Sequence, residues 1–433
     1  MHESTQRRVC RVAFVIFCLV PTVLSVTWIA WFRRPWREND WQRAISQQLH
    51  VRAKIEEILN PRPGVTRLLG IQLADLRNRN SLASLDSALL ERRQGKLTLS
   101  AQLTEVRAKQ LPLLTQSIST WLSSGDSSLV ELCIDRLHIV GEQGNLWELR
   151  NVLISNSPSA AQPRMLRLFA DTTSFDTETA SLQLLLADSN TEKGSRIHAT
   201  LDATRARIPA WVLGDLIPGV SSCPMASFTG LVRIQSDFSK LTGTLRGQLS
   251  EVDLQAWAES ATPHRLEGTA HLELDNFSWQ DGRVEVAQGN LRVRRGKVSH
   301  SLLTELAKRL FCVPGTGMRS ANLSNEDQLQ TFDELACGYS INNLGISLRG
   351  QCSSVAWKPT GCLLAFNGDE LLSEPGYSNI PLAQLVQVFS MPSKSWLPAT
   401  REAAELADSL PLPTTQGRIA TRSDAASDSN LTR

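Results

Sequence analysis

Apolar and polar residues alternate along much of the chain beyond residue 50, and a period of two is typical of strands with one buried face. A short example consists of Leu97, Leu99, Ala101 and Leu103. A longer run begins at Phe228 and continues to Leu254. In this run the leucines up to Leu249 share one parity, whereas Val252 has the other, so a β-bulge is predicted near Ser250. The pattern predicts a mainly β protein.

Turn signals separate the predicted strands. Asp281–Gly282 and Gly289–Asn290 each lie between apolar residues with a period of two. Asp-Gly and Gly-Asn pairs favour tight hairpins, so each pair is predicted to join two antiparallel strands. The result is an antiparallel meander with one apolar and one polar face, in which Val284 and Val286 lie on the same face.

Helical spacing is rare in this part of the chain. Four helices are predicted. The first contains Leu114, Ile118 and Trp121, and the second runs from Trp211 to Ile217. The third is capped by Ser301, and the fourth begins at Pro381. Asp40 is also predicted to cap a short helix, after which Val51, Ala53 and Ile55 alternate with charged residues and favour a strand. A helix that continues to Asn60 is the alternative, and Pro61 ends either element.

Residues Val12 to Phe32 are apolar and carry no charge, and 21 residues of helix span the hydrocarbon layer of about 30 Å. Arginines lie on both sides of this segment, and tryptophans follow it, as at a membrane interface. A cleaved signal peptide is the alternative, but the apolar run is longer than the usual apolar region of a signal peptide, and no small-x-small cleavage site precedes the arginine cluster. We therefore predict an uncleaved transmembrane helix. Because the charges on its two sides nearly balance, the cytoplasmic N-terminus is inferred from the short leading tail.

Composition and motifs exclude several classes of function. The net charge is only +2, and the arginines are scattered, whereas a nucleic-acid-binding protein has its basic residues in a stripe. No phosphate-binding loop, dinucleotide fingerprint, zinc-protease motif or nucleophile elbow occurs. The histidines are scattered and read as exposed strand residues, and the paired acids Glu56–Glu57 and Asp369–Glu370 read as solvated. We predict a protein that is not an enzyme and has no cofactor and no metal.

The cysteines and one basic cluster leave alternatives open. Six of the eight cysteines follow the N-terminal segment, with no CxxC pair that would indicate zinc. Cys352 and Cys362 flank a Lys-Pro-Thr-Gly turn and are the candidate disulfide, whereas the alternative is that all six are small buried residues. The basic cluster Arg292, Arg294, Arg295 and Lys297 either contacts phosphate headgroups or forms the wet side of a strand.

Three segments together resemble a known family. They are RPGVTRLLGIQLADLR from Arg62 to Arg77, FTGLVRIQSDFSKLTGTLRGQLSEVDLQAW from Phe228, and HRLEGTAHLELDNFSWQDGRVEVAQGNLRVRRGKVSHSLL from His264. With the N-terminal apolar segment, they are similar to the AsmA-like proteins of double-membraned bacteria, relatives of TamB and the bridge-like lipid transfer proteins. The resemblance covers roughly residues 12 to 350 and rests on architecture and repeated Gly-x-Leu positions.

The resemblance implies an N-terminal transmembrane helix followed by an elongated, curved antiparallel β-sheet that forms a taco-like groove, with a few short capping helices. The expected divisions are a cytoplasmic tail (1–11), the transmembrane helix (12–32), a juxtamembrane helix and first strand (33–60), an N-terminal β-rich region (61–225), a C-terminal AsmA-like β-rich region (226–393) and a largely disordered tail (394–433).

The function implied is lipid binding in an apolar groove, which assists lipid transport or outer-membrane biogenesis from the bacterial inner membrane, with most of the chain in the periplasm. The expected lipid-facing residues are Leu245, Leu249, Leu272, Leu274, Val284, Val286, Leu291 and Val293. The expected partners are membrane lipids such as phospholipid, and other envelope proteins, but no nucleic acid. The alternative is a non-catalytic, membrane-tethered β scaffold that binds other envelope proteins.

Overall fold

The structure is a computed structural model. It describes residues 14–32, 42–43, 46, 51–62, 64–75, 81–93, 96–111, 129–141, 144–157, 164–173, 179–191, 194–214, 220–237, 240–319, 329–353, 361–388 and 410. The predicted helix around Ile118, the juxtamembrane helix apart from Gln42, Arg43 and Ser46, and the tail from residue 394 apart from Leu410 lie outside the described residues.

Strands dominate the described part of the chain, so the protein is mainly β as predicted. The first eight strands are β1 (Arg52–Lys54), β2 (Glu57–Arg62), β3 (Val65–Ala74), β4 (Ser81–Arg93), β5 (Lys96–Arg107), β6 (Leu129–Val140), β7 (Leu146–Ser157) and β8 (Arg164–Thr173). The others are β9 (Thr179–Thr191), β10 (Gly194–Pro209), β11 (Ser227–Asp237), β12 (Lys240–Asp253), β13 (Leu266–Glu267), β14 (Thr269–Gln280), β15 (Arg283–Ser299), β16 (Cys312–Pro314), β17 (Leu329–Asn342), β18 (Gly345–Gly350), β19 (Cys362–Phe366) and β20 (Asp369–Pro375).

The described helices are short. They are α1 (Val20–Phe32), α2 (Leu254–Ala261), α3 (His300–Arg309), α4 (Thr316–Arg319) and α5 (Leu382–Val388), with a π-helical segment at Val15–Leu19 and 3₁₀ turns at Ala108–Gln110, Ala210–Leu213 and Val220–Ser222. Among the described residues, no helix combines the length and the apolar character needed to cross a membrane. Two predicted helices are confirmed, although α3 begins after Ser299 rather than Ser301 and α5 follows Pro381.

The chain divides into two compact units, Met1–Leu166 and Arg167–Arg433. Residue 226, where the C-terminal region was predicted to begin, lies inside the second unit. In the first unit β3 pairs with β1, β2 and β4, and the order continues through β5, β6 and β7. Val51, Ala53 and Ile55 are buried around β1, which confirms the predicted strand rather than the alternative helix.

The prediction of a purely antiparallel sheet is wrong, because β5 and β6 are parallel. Their connection runs from residue 108 to residue 128, which is long enough to return the chain to the same end of the sheet. An apolar row crosses the pair, with Ala101 opposite Ile134 and Ile134 opposite Val152. All three side chains are buried, so the core of the first unit continues across the change of strand direction.

In the second unit, an antiparallel ladder runs β9–β10–β11–β12–β14–β15–β17. The short strand β13 pairs with β15, and β17 pairs with both β18 and β19. Strand β20 then pairs with β19 and β16. The ladder is the meander that the alternation predicted.

One predicted turn and the predicted bulge are confirmed. Asp281 and Gly282 have φ of 50° and 78° and join β14 to β15, as expected for the primed turns of tight hairpins. The register between β12 and β14 shifts between Leu249 and Val252, and Glu251 has φ of 60° at this bulge.

The predicted turn at Gly289–Asn290 is wrong, because β15 runs without interruption through both residues. A Cβ at Gly289 would overlap the backbone of Glu273 on β14 and contact the hydroxyl of Tyr339 on β17. This glycine therefore allows close approach of neighbouring strands and does not turn the chain.

Candidate functional site

The candidate site is the apolar face of the second-unit ladder, and its residues align in rows across the strands. Cross-strand pairs in such a ladder share a face, because the strands are in register. One row contains Leu184, Leu201, Val232, Leu245, Phe277, Ala287 and Ile341. A second row contains Ile208, Phe228, Leu249, Leu272, Leu291 and Cys337. The apolar surface is therefore continuous over several strands.

Burial varies across these rows. In the first row, Val232, Leu245, Phe277 and Ala287 are buried, whereas Leu184, Leu201 and Ile341 at the two ends are half-buried. In the second row, Phe228 and Leu249 are fully buried, and Leu272 and Leu291 are half-buried. The centre of the face is therefore covered by the chain itself, and partial access remains towards β9 and β17.

The structure brings seven of the eight expected lipid-facing residues onto this face. Leu245, Leu249, Leu274, Val284 and Val293 are buried there, and Leu272 and Leu291 are half-buried. Leu249 and Val293 are 0% exposed, so in this structure the chain's own atoms cover them completely.

Val286 does not share the face of Val284. Val284 pairs with Trp279, but Val286 pairs with Ser278, so that Glu285 is an extra residue in β15. Ser278 pairs in turn with Thr244, which is exposed on the polar face. The expectation that both valines share a face is wrong because the bulge reverses the alternation between them.

Aromatic side chains fill the space beside glycines on the apolar face. The ring of Trp279 lies where a Cβ at Gly243 would be. A Cβ at Gly230 or Gly247 would overlap the backbone of the neighbouring strand first and the ring of Phe228 next. Phe332 covers Gly296 in the same way. Packing of an aromatic ring across a strand glycine compensates for the missing side chain and allows a sheet to bend there. Gly243 and Gly247 are two of the repeated Gly-x-Leu positions, and each has an aromatic ring beside its glycine.

Two thiols meet at the end of the ladder. The backbone N–H of Cys352 donates to the carbonyl oxygen of Cys362 at 3.0 Å. The Cys352 thiol donates to the Glu334 carbonyl at 3.6 Å, and the Cys362 thiol donates to the Leu364 carbonyl at 3.4 Å. The neighbouring thiol of Cys362 and burial raise the pKa of Cys352, and the neighbouring thiol of Cys352 lowers the pKa of Cys362. Both cysteines are free in this structure. The sequence identified this pair correctly as close neighbours, and their disulfide stays a prediction.

His264 contradicts the interpretation of the histidines as exposed, because it is only 6% exposed. Its Nε2 lies 3.1 Å from the carbonyl oxygen of Val388 at the end of α5, and its Nδ1 lies 3.0 Å from Oγ of Ser301 at the start of α3. A carbonyl oxygen only accepts, so the neutral ring donates from Nε2 and accepts at Nδ1. Burial lowers the pKa of His264. The histidine therefore ties two helices together, which no spacing in the sequence indicated.

The basic cluster lies within β15 and divides into separate environments. Arg292 and Arg294 are exposed on the polar face, whereas Lys297 pairs with Glu267 at 3.1 Å. Arg295 has φ of 57°, next to a register change between β14 and β13. Two of these four basic residues, Arg292 and Arg294, thus share one surface.

Among the described residues, no group of three or more histidine, cysteine, aspartate or glutamate side chains is placed to hold a metal ion. The fold and these geometries define a mainly β protein whose second unit carries a continuous apolar face. No protein-family model matches the chain, and a comparison with curated proteins finds no match.

Proposed function

We propose that this protein is a membrane-tethered β protein that binds lipid along the apolar face of its second unit, and that it assists lipid transport or outer-membrane biogenesis. The observation that carries the proposal is the continuous row from Leu184 to Ile341, in which each residue pairs with an apolar neighbour on the next strand. The resemblance to AsmA-like proteins points to the same function.

The energetic argument concerns the acyl chains. A lipid with two chains exposes about thirty methylenes, and leaving the bilayer costs roughly 0.8 kcal/mol for each, or about 24 kcal/mol in total. An apolar face several strands wide offsets much of this cost without a dedicated polar residue. The half-buried members of the rows, such as Leu201 and Leu272, are the side chains that an acyl chain reaches first.

The tether in this proposal is the segment from Val12 to Phe32. Its side chains from Val20 to Thr27 are exposed, and they include Val23, Leu24 and Val26. Uncharged apolar side chains favour burial in hydrocarbon, and insertion of this segment into a bilayer would bury them. The proposed location is the inner membrane of a double-membraned bacterium, with the β units in the periplasm.

Native mass spectrometry of the full chain, released from detergent micelles, tests lipid binding. The informative variant is Ile234→Glu, because Ile234 is half-buried on the apolar face and pairs with Ala199 and Gly243. Adding phosphatidylcholine to the delipidated wild-type chain is expected to give a lipid-bound species. A carboxylate on the apolar face is expected to weaken this binding about tenfold or more, because the lipid would desolvate a charge.

Gln235→Glu is the matched control, since Gln235 is also half-buried, adjoins Ile234 and faces the opposite side of β11. It introduces the same charge and is expected to bind lipid as the wild type does. Circular dichroism of both variants establishes that they fold. A folded wild-type chain that accepts no added phospholipid would refute the proposal.

A non-catalytic scaffold that binds other envelope proteins is the second candidate. The complete burial of Leu249 and Val293 favours it, because side chains already covered by the protein have no surface left for lipid. The scaffold predicts that Ile234→Glu and Gln235→Glu leave the lipid-bound fraction equally low, whereas lipid binding predicts a difference between them.

A further inference from the structure

A cavity of about 380 Å³ lies on the polar face of β12, β14 and β15. Its position follows from the register, because Leu272 pairs with Leu291 on the apolar face and the next pair, His271 with Arg292, faces the opposite side. The cavity is therefore separate from the proposed lipid-binding surface, and an inference about it does not depend on that proposal.

Two arginines give the cavity its chemical character. Arg292 and Arg294 are two residues apart on one strand, so their Cα atoms are about 7 Å apart and their side chains leave the same face. Both side chains are exposed, and neither forms an ion pair within the part of the chain that the structure describes.

The carboxylates near the two arginines accept hydrogen bonds from uncharged groups. Glu273, which also lines the cavity, accepts a hydrogen bond of 3.0 Å from Nδ2 of Asn290. Oδ1 of Asn290 in turn accepts one of 2.9 Å from Gln351. Glu334 pairs with Arg294 across the ladder, but its carboxylate accepts from the backbone N–H of Ser353 at 2.8 Å and from the Ser353 hydroxyl at 3.1 Å.

The charged side chains Arg292, Arg294 and Glu273 give the cavity a net positive charge. We propose that this cavity binds a phosphate group, with Arg292 and Arg294 on two sides of it and His271 as a further donor. Guanidinium groups donate in a planar fork that matches phosphate oxygens, and arginine is the preferred residue for such contacts. A tetrahedral phosphate offers enough oxygen atoms for two guanidinium groups and an imidazole together. The phosphate belongs either to a lipid headgroup or to a small soluble molecule.

The test compares two double variants of the full chain in detergent micelles. Arg292→Gln with Arg294→Gln removes both charges from the cavity. Arg283→Gln with Arg349→Gln is the matched control, because it removes the same charge from exposed strand positions that do not line the cavity. Isothermal titration with inorganic phosphate measures the soluble ligand. Co-flotation with phosphatidylcholine vesicles, with and without phosphatidic acid, measures the headgroup.

We expect the cavity variant to bind at least about tenfold more weakly than the wild type, since it loses two charge-assisted contacts, and the control to bind as the wild type does. Loss in the titration supports a soluble phosphate compound, and loss only with phosphatidic acid vesicles supports a lipid headgroup. Absence of wild-type binding in both measurements would overturn the proposal. An equal loss in the cavity and control variants would also overturn it, because that result indicates an effect of net charge alone.

Discussion

The ring of Trp279 on β14 occupies the space beside Gly243 on β12, so that a Cβ at Gly243 would overlap it. The two residues are direct cross-strand partners, and both are buried. The indole thus fills a position that has no side chain of its own. Packing of the indole against Gly243 therefore fills the apolar face and holds β12 and β14 close together at this point.

Replacement of Gly243 by alanine is expected to destabilise the protein by about 1–3 kcal/mol, because the buried indole must move away from an inserted methyl group. Urea denaturation followed by tryptophan fluorescence measures this change. Gly376→Ala is the matched control, since Gly376 has nothing near the position of a new Cβ and its substitution is expected to be nearly neutral. Equal stability of the two variants would show that the Trp279–Gly243 packing carries no energy.

Strand alternation was predictable because it follows directly from the two-residue period of the backbone. The meander around β12 and β14, the bulge beyond Leu249 and the turn at Asp281–Gly282 all followed from this period and from turn chemistry. The uninterrupted course of β15 through Gly289 did not follow. A glycine that permits close strand contact has the same sequence signature as a glycine in a turn, and only the tertiary neighbours separate the two.

Isosteric substitutions map the two faces of β15 on either side of its bulge. Val284→Thr is expected to cost about 1–3 kcal/mol, because it places a hydroxyl against Trp279 on the buried face. Val286→Thr is expected to change stability by less than about 0.5 kcal/mol, because Val286 lies beside Ser278 on the polar face. Chemical denaturation of the two variants compares them directly. A larger cost at Val286 would contradict the bulge at Glu285.

A disulfide between Cys352 and Cys362 is expected to form by exchange with oxidised glutathione. The thiolate of one cysteine attacks oxidised glutathione and releases one glutathione, and the other cysteine then displaces the second glutathione from the mixed disulfide. The rate is expected to rise with pH, because the thiolate and not the thiol is the nucleophile. Mass spectrometry of the peptides, with and without reduction, identifies the bond.

Closure of this short loop is expected to stabilise the folded chain by about 2–3 kcal/mol. Thermal unfolding with and without a reductant measures the gain, and Cys352→Ser is expected to abolish the difference. Cys133→Ser is the control, since Cys133 lies in the other compact unit and leaves the pair intact. If Cys352→Ser keeps the dependence on reductant, a different pair of thiols is responsible.

The candidate site was predictable in part, and the failures have local causes. Seven of the eight lipid-facing residues fall on one face because the period of two holds through β12 and most of β14. The prediction for Val286 is wrong because one inserted residue, Glu285, reverses which face the following side chains take. No residue type specifies an insertion of this kind. The prediction that His264 is exposed is wrong for a different reason, because its hydrogen-bond partners are 37 and 124 residues away in the sequence. Such long-range hydrogen bonds have no local pattern.

The buried ring of His264 is expected to make stability depend on pH. Burial lowers its pKa in the folded chain, so the folded state holds the imidazolium less well than the unfolded chain, in which the pKa is about 6.5. The neutral ring therefore makes its full contribution to the free energy of unfolding above about pH 6.5, and this contribution decreases as the pH falls below that value. The hydrogen bond to the Val388 carbonyl and the charge of Glu305 oppose this shift without reversing it.

His264→Gln removes this titration and is expected to cost about 1–3 kcal/mol at neutral pH, because Ser301 Oγ and the Val388 carbonyl lose well-placed partners. The difference from the wild type is expected to shrink as the pH is lowered from 7.5 towards 5, over roughly the range in which histidines charge. Urea denaturation of both proteins at each pH measures this difference. A constant difference at every pH would show that His264 does not titrate with unfolding, and the link between α3 and α5 would then be one of packing alone.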